Sequence, residues 1–136
     1  GRNPIVAHEY LGSSVEGKDV FIADDIISSG ESMLDIAYAL KKQKAGRIFA
    51  YATYAIFTNG LDAFDKAYKE GMISGVLGSN LTYRSPELRE REWFFEVDVS
   101  KYIAYFIAAL NHDNSVSTII DPHQKIEQLL KKRGQR

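Results

Sequence analysis

Cysteine is absent from the 136-residue sequence, which excludes a disulfide framework and any thiolate metal site and suits a cytoplasmic protein. No apolar run approaches the roughly 20 residues of a membrane span, and no signal peptide is visible. Charge of one sign is not in excess either. The formal net charge is −1, which gives no electrostatic reason to expect nucleic acid or an anionic membrane as the main partner. Internal repeats and low-complexity segments are missing. So are the Gly-x4-Gly-Lys spacing of a nucleotide-binding P-loop and the Gly-x-Gly-x-x-Gly dinucleotide fingerprint. An initiator methionine is missing as well, since the chain opens Gly1-Arg2-Asn3-Pro4. What remains is 45% hydrophobic and 26% charged, the balance of one ordinary globular domain with a sizeable core.

The chain is organised around residues 20–32, Val-Phe-Ile-Ala-Asp-Asp-Ile-Ile-Ser-Ser-Gly-Glu-Ser. Consecutive apolar residues 20–23 running into Asp24 predict a parallel strand, covered by helices on both faces, that ends at an acidic pair. Ahead of it, residues 5–11 form a short mixed run that suits a strand. Behind it, Met33, Ile36, Ala37 and Leu40 fall at helical spacing over residues 31–44, with lysines in the last turn and Gly46 as the stop. Strands follow at 47–53 and 73–79, separated by a Thr58-Asn59-Gly60 turn and a helix carrying Leu61, Phe64 and Tyr68. Ser85 and Pro86 read as an N-cap and first helical residue, and the charged run 87–92 as a solvated helical face. A fourth strand is predicted over 93–99. Ser100 then caps a helix bearing Tyr102, Ile103, Phe106, Ile107 and Leu110. A last helix starts at Asp121, Pro122 and Gln124 and has Ile126, Leu129 and Leu130 inside. Strands alternating with helices predict an α/β fold with a mostly parallel sheet and right-handed crossovers.

In such sheets ligands sit beyond the carboxyl ends of the strands. There, Asp24 and Asp25 offer acceptors for sugar hydroxyls. The amides and hydroxyls of Ser28, Ser29, Gly30, Glu31 and Ser32 offer a phosphate cradle at a helix N-terminus. Glu31 should face solvent or an arginine, because its charge repels phosphate. Adjacent strand residues point to opposite faces, which makes the acidic pair a poor clamp for one metal ion. A helix N-cap with a solvated carboxylate would produce the same local pattern, and the residues alone leave both readings open.

The apolar run, acidic pair and Ser-Ser-Gly-Glu-Ser loop resemble the phosphoribosyl-diphosphate motif of type I phosphoribosyltransferases. Val15-Glu16-Gly17-Lys18 before the motif strand, Ser79-Asn80 after the third strand and residues 115–120, Ser-Val-Ser-Thr-Ile-Ile, narrow the resemblance. Together they resemble the C-terminal half of the ribose-phosphate pyrophosphokinase family. The resemblance covers roughly residues 3 to 121. It implies a phosphoribosyltransferase-like domain without its N-terminal strands over residues 1–121, with residues 122–136 as an appended helix. Asp24 and Asp25 would hold the ribose hydroxyls, and Ser28 to Ser32 the 5-phosphate. Two departures are visible. The synthetases commonly read Asp-Thr-Ala-Gly-Thr in this loop, and have Thr-His where this chain has Thr53-Tyr54.

The resemblance further implies that the parent enzyme transfers diphosphate from ATP to ribose 5-phosphate, with Mg2+, as a cytoplasmic homo-oligomer. The ATP site, the metal ligands and the catalytic lysine–arginine loop would precede residue 3. No catalytic or metal-binding residue is therefore assigned within residues 1–136, and the piece alone should not catalyse. A nucleobase phosphoribosyltransferase and a non-catalytic assembly module are the alternatives. A sheet missing earlier strands should leave a raw edge and exposed apolar surface. His8, His112 and His123 show no metal-ligand spacing. Tyr51, Tyr54, Tyr102, Tyr105 and Phe106 suit core or subunit interface, while Arg84, Arg89 and Arg91 suit surface ion pairs. Arg2 sits where the family's catalytic loop ends.

Overall fold

The structure is a computed structural model that describes residues 12–134; the strand expected over residues 5–11 lies outside them. The chain divides into two compact units, Gly1–Asp98 and Val99–Arg136.

In the first unit four strands, β1 (Val20–Ile27), β2 (Ile48–Ala55), β3 (Gly75–Ser79) and β4 (Phe94–Val97), form one sheet in the order β1-β2-β3-β4. Every pairing is parallel. Helices α1 (Glu31–Lys42), α2 (Asp62–Lys69) and the single turn α3 (Pro86–Arg89) make the connections. Because each crossover steps the sheet in the same direction, right-handedness places the connecting helices on one face. The register shows which residues meet them: Ile22, Ala50, Val76 and Phe94 lie side by side and pack with Met33, Leu34, Ala37 and Leu40 of α1 and Phe64 and Ala67 of α2. Alanines at positions 50, 52 and 55 of β2 are buried, and their small side chains leave room for the two helices.

The opposite row, Ala23, Tyr51, Leu77 and Phe95, is half-buried or exposed, and Phe21 next to it is 60% exposed. The expectation that β1 is covered on both faces is therefore corrected. Among the described residues it is an outer strand with one neighbour, and Ala23, Asp24, Asp25 and Ile26 are exposed. The strand also runs three residues past Asp24, so the acidic pair lies within it and not at its end.

Helix α1 shows where local sequence and geometry part. Gly46 is not its stop. The left-handed residue is Lys44 at φ 60°, with Lys44 N–H donating to Lys41 O at 2.9 Å and Ala45 N–H to Leu40 O at 3.1 Å. This is a Schellman ending, sealed by the buried Leu40 and Ala45. Gly46 serves a close approach instead, donating to Lys18 O at 2.7 Å. Helix α2 closes the same way at Gly71 (φ 69°), as its sequence predicts. Ser85 caps α3, its Oγ accepting from Leu88 N–H at 3.2 Å, but the helix stops at Arg89 and does not extend over the charged run. At the amino end of the sheet, Asp19 accepts from Arg47 Nε at 3.1 Å and Arg47 N–H at 3.0 Å. The hydrogen bonds and charge of Arg47 hold the Asp19 carboxyl below its usual range.

At the carboxyl end of β3, Ser79 is the sole buried polar side chain among the described residues. Its Oγ donates to Thr53 O at 2.6 Å and accepts from Leu81 N–H at 3.2 Å. Ser79→Ala should cost about 1–3 kcal/mol, since the buried hydroxyl's two backbone partners lose their bonds. Chemical denaturation measures this, and a change below about 0.5 kcal/mol would mean that water replaces the hydroxyl.

The second unit holds α4 (Ser100–Asn111), the turn α5 (Ser117–Ile120) and α6 (His123–Gly134). Ser100 does not cap α4: the cap residue is Val99, without a side-chain hydrogen bond. At the start of α6, Asp121 Oδ1 accepts from His123 N–H at 3.0 Å, which with the imidazole lowers the Asp121 carboxyl pKa. The expectation that Ile126, Leu129 and Leu130 lie inside is corrected, since they are 49%, 65% and 63% exposed. Three helices without a sheet enclose little volume, and Ala109 is the one buried hydrophobic residue described in this unit. No helix among the described residues is long and apolar enough to cross a membrane.

Candidate functional site

The loop between β1 and α1 lies at the carboxyl end of the sheet, where parallel architecture leaves free backbone groups. Gly30 makes its shape possible. It caps α1 in the left-handed region, φ 85° and ψ −3°, and is buried. A Cβ there would overlap the ring of Phe64, so no other residue fits without displacing the core. The loop after β2 supports it from one side: Ile56 N–H donates to Ile27 O and Thr58 N–H to Ser28 O, both at 2.9 Å.

A cleft of about 130 Å³ opens here, lined by Asp24, Ile26, Ile27, Ser28, Ser29, Gly30, Ser32 and Met33. The structure thus brings together five of the seven residues singled out from the sequence: Asp24, Ser28, Ser29, Gly30 and Ser32. Asp25 and Glu31 are exposed and outside the lining. Asp25 parts from Asp24 because β1 continues through the acidic pair and sends successive side chains to opposite faces, while Glu31 is turned outward in the first turn of α1. Asp24 Oδ1 accepts from Asp25 N–H at 2.8 Å, which fixes the carboxylate near the backbone turn. Ser29 Oγ accepts from Glu31 N–H at 3.4 Å, a weak bond that a better acceptor for that amide would displace. The cleft offers one carboxylate, three hydroxyls and the positive end of a 12-residue helix, with no cation in its lining. This set can bind a hydroxylated anion and orient it.

A second cleft of about 400 Å³ lies between the β2–α2 loop and α3, with Ile56, Phe57, Leu61, Tyr83 and Leu88 in its walls. Nothing in the sequence pattern marked it, because its walls come from segments about 30 residues apart. Two of the three arginines expected in ion pairs, Arg91 and Arg84, lie beside carboxylates. Arg91 Nε is 3.0 Å from Asp65 Oδ1. Arg84 Nε lies 2.7 Å from Glu96 Oε2, outside hydrogen-bonding geometry. His112 and His123 are exposed, while His8 and Arg2 lie outside the described residues. Among the described residues no three His, Asp or Glu side chains cluster as a metal site would require.

No family model matches the chain. Sequence relatives are nevertheless clear. The ribose-phosphate pyrophosphokinase of Vibrio cholerae is 30% identical over 111 residues, 82% of this chain and 34% of the relative. That of Shewanella oneidensis is 30% identical over 110 residues, again 34% of its length. The chain is related to the ribose-phosphate pyrophosphokinases. It spans about a third of the length of the relatives it matches, as a partial, C-terminal part would. Among solved structures, the phosphoribosylpyrophosphate synthetase of Mycobacterium smegmatis superposes with a TM-score of 0.65 over 76% of this chain and 33% of that one. At 17% identity the likeness speaks for the fold. An orotate phosphoribosyltransferase of Oceanobacillus iheyensis is 41% identical over 67 residues, 49% of this chain. The α/β parallel sheet expected from the sequence and the relationship to the pyrophosphokinases both hold.

Proposed function

We propose that the cleft after β1 holds ribose 5-phosphate, as the sugar-phosphate half-site of a ribose-phosphate diphosphokinase. The observation that supports this reading is the convergence of Asp24 with the Ser28, Ser29 and Ser32 hydroxyls around a left-handed glycine at a helix N-terminus. The phosphate sits against Gly30 and the serines, where the dipole of α1 and the loop amides meet its charge. Asp24 accepts from a ribose hydroxyl inside the cleft; Asp25, exposed on the other face of the strand and outside the lining, adds negative charge beside the sugar and not a direct acceptor.

In the parent reaction the C1 hydroxyl attacks the β-phosphorus of ATP. A C1–O–P bond forms, the bond between the α- and β-phosphates breaks, the hydroxyl proton is lost and AMP leaves. The described residues position the sugar phosphate for that step. They include no base or cation at the cleft, and they assemble no magnesium site. We assign activity, ATP and Mg2+ to the full-length parent, because this chain spans about a third of the length of its pyrophosphokinase relatives, and residues 1–136 alone should not turn over substrate.

Calorimetric titration of ribose 5-phosphate into the parent and its Asp24→Asn/Asp25→Asn variant tests the site. Replacing the charged acceptor at a sugar hydroxyl, together with the charge beside it, should weaken binding roughly tenfold to a hundredfold. Equal affinities, or no binding to either protein, would point to a scaffold. The 41% identity to an orotate phosphoribosyltransferase favours a second reading, in which the same cradle holds phosphoribosyl diphosphate for displacement by a base. AMP release from ATP that depends on ribose 5-phosphate supports the diphosphokinase. Consumption of phosphoribosyl diphosphate with a free base, and indifference to ATP, supports the transferase.

A further inference from the structure

We infer that the second unit carries an oligophosphate site, independent of the ribose cradle, in the cleft between α4 and α6. Lys101, Tyr102 and Tyr105 of α4 face Lys125, Gln128, Leu129 and Lys132 of α6 across a cavity of about 310 Å³. Three ammonium groups, two phenols and an amide line it, and no carboxylate does. None of the three lysines forms an ion pair among the described residues. Instead Lys125 sits over the Tyr102 ring at 4.5 Å and Lys101 over Tyr105 at 5.5 Å, which holds both heads at the cleft.

Helix electrostatics account for Lys132, in the last turn of α6, but not for Lys101. Lys101 occupies the first turn of α4, where a cation opposes the dipole and an acidic residue would be favoured; none is present there. Charge is also divided unevenly along the chain. Residues 99–136 hold six lysines and arginines against three carboxylates, whereas residues 1–98 hold eleven against fifteen. Like charges gathered around one cavity repel unless an anion joins them. Three ammonium groups match a linked pair or trio of phosphates better than a single one. The tyrosine hydroxyls and the Gln128 amide add donors for bridging oxygens. Two sources share this chemistry: an inorganic oligophosphate and the phosphate tail of a nucleotide.

The test is calorimetric titration of pyrophosphate, tripolyphosphate, ATP, adenosine and orthophosphate into the full chain at low and moderate salt. The variants are Lys101→Gln/Lys125→Gln/Lys132→Gln and the corresponding triple arginine substitution. Tripolyphosphate and pyrophosphate should bind with 1:1 stoichiometry and more tightly than orthophosphate, weakening as salt screens the lysines. The glutamine triple should lose at least about tenfold in affinity, the equivalent of one charge-assisted contact, and the arginine triple should retain binding. ATP binding like tripolyphosphate identifies a nucleotide tail as admissible, and ATP binding much more weakly restricts the site to the inorganic chain. Binding by adenosine alone, unchanged affinity in the glutamine triple, or no saturable binding of either oligophosphate at low salt would overturn the proposal. So would tighter, length-dependent binding of an RNA oligomer. Asp24→Asn/Asp25→Asn should leave oligophosphate binding unchanged, so this site and the ribose cradle fail separately.

Discussion

Trp93→Ala should lower the stability of the first unit by about 3–5 kcal/mol, the range for deleting a large buried aromatic side chain. Trp93 is 2% exposed and central to a ring cluster. It stacks on Phe64 at 5.5 Å and 25°, and meets Phe57 at 5.7 Å and Phe94 at 6.2 Å edge to face. Its Nε1–H also donates to Asp65 Oδ1 at 2.7 Å, on a carboxylate shared with Arg91. Alanine would leave a cavity and remove one donor from a half-buried charge. The effect should reach the cradle as well. Phe57 is a bulky residue held at φ 53°, a costly conformation. It persists because its ring is locked among Phe64, Trp93 and Phe94, and its neighbours Ile56 and Thr58 carry the bonds that support Ile27 and Ser28. Ribose 5-phosphate affinity should therefore fall even where the variant remains folded. Since Trp93 is the sole tryptophan, unfolding is best followed by far-ultraviolet circular dichroism. A loss below about 1 kcal/mol would show that the cluster collapses around the gap.

Gly30→Ala should cost about 2–5 kcal/mol. Two penalties add. Overpacking a tight core costs roughly 1–3 kcal/mol, and here the new methyl would fall on the Phe64 ring. Left-handed backbone costs a further 1–2 kcal/mol for a residue with a Cβ, and Gly30 stands at φ 85°. Gly60 provides the control. It has a similar φ of 81° but nothing within 4 Å of its built Cβ, so Gly60→Ala should show only the backbone share, about 1 kcal/mol. Thermal or urea unfolding of the two variants measures the difference. Equal losses would mean that Phe64 moves aside freely, and that Gly30 is present for backbone reasons alone. Ribose 5-phosphate binding should be lost in Gly30→Ala if the proposed site is correct, because the methyl forces apart the loop and the helix start proposed to hold the phosphate.

Much of the site was legible before any coordinates. An apolar run into Asp24, a Ser/Gly turn and a helical stripe from Met33 to Leu40 are local signals, and local signals survive translation into structure. Glu31 was set apart by its charge, but Asp25 was not separable from Asp24 by pattern alone. Whether an acidic pair reaches one ligand depends on whether the strand has ended, and that is set by pairing with β2 through Ile26 and Ile27. The aromatic cluster was illegible for a related reason. Phe57, Phe64, Trp93 and Phe94 come from two loops, a helix and a strand, and no periodicity connects them.

The burial of β1 and α6 was also misread. β1 has the apolar content of a covered strand and α6 an apolar stripe of three residues, yet Phe21 and Leu130 are 60% and 63% exposed. Hydrophobic content records what a segment would bury, not whether a neighbour arrives to bury it.

By itself the sequence determined the alternation of strands and helices, the parallel sheet, the Ser/Gly loop between β1 and α1 and the kinship with the pyrophosphokinases. These follow from periodicity, turn chemistry and a contiguous motif, which act over a few residues. Only the tertiary structure decided that Asp24 enters the cleft while Asp25 does not, that Lys44 and not Gly46 ends α1, and that three lysines from two helices share one cavity. Each of these depends on which distant segment packs alongside, and packing is settled in three dimensions by shape and pairing that a linear pattern does not encode.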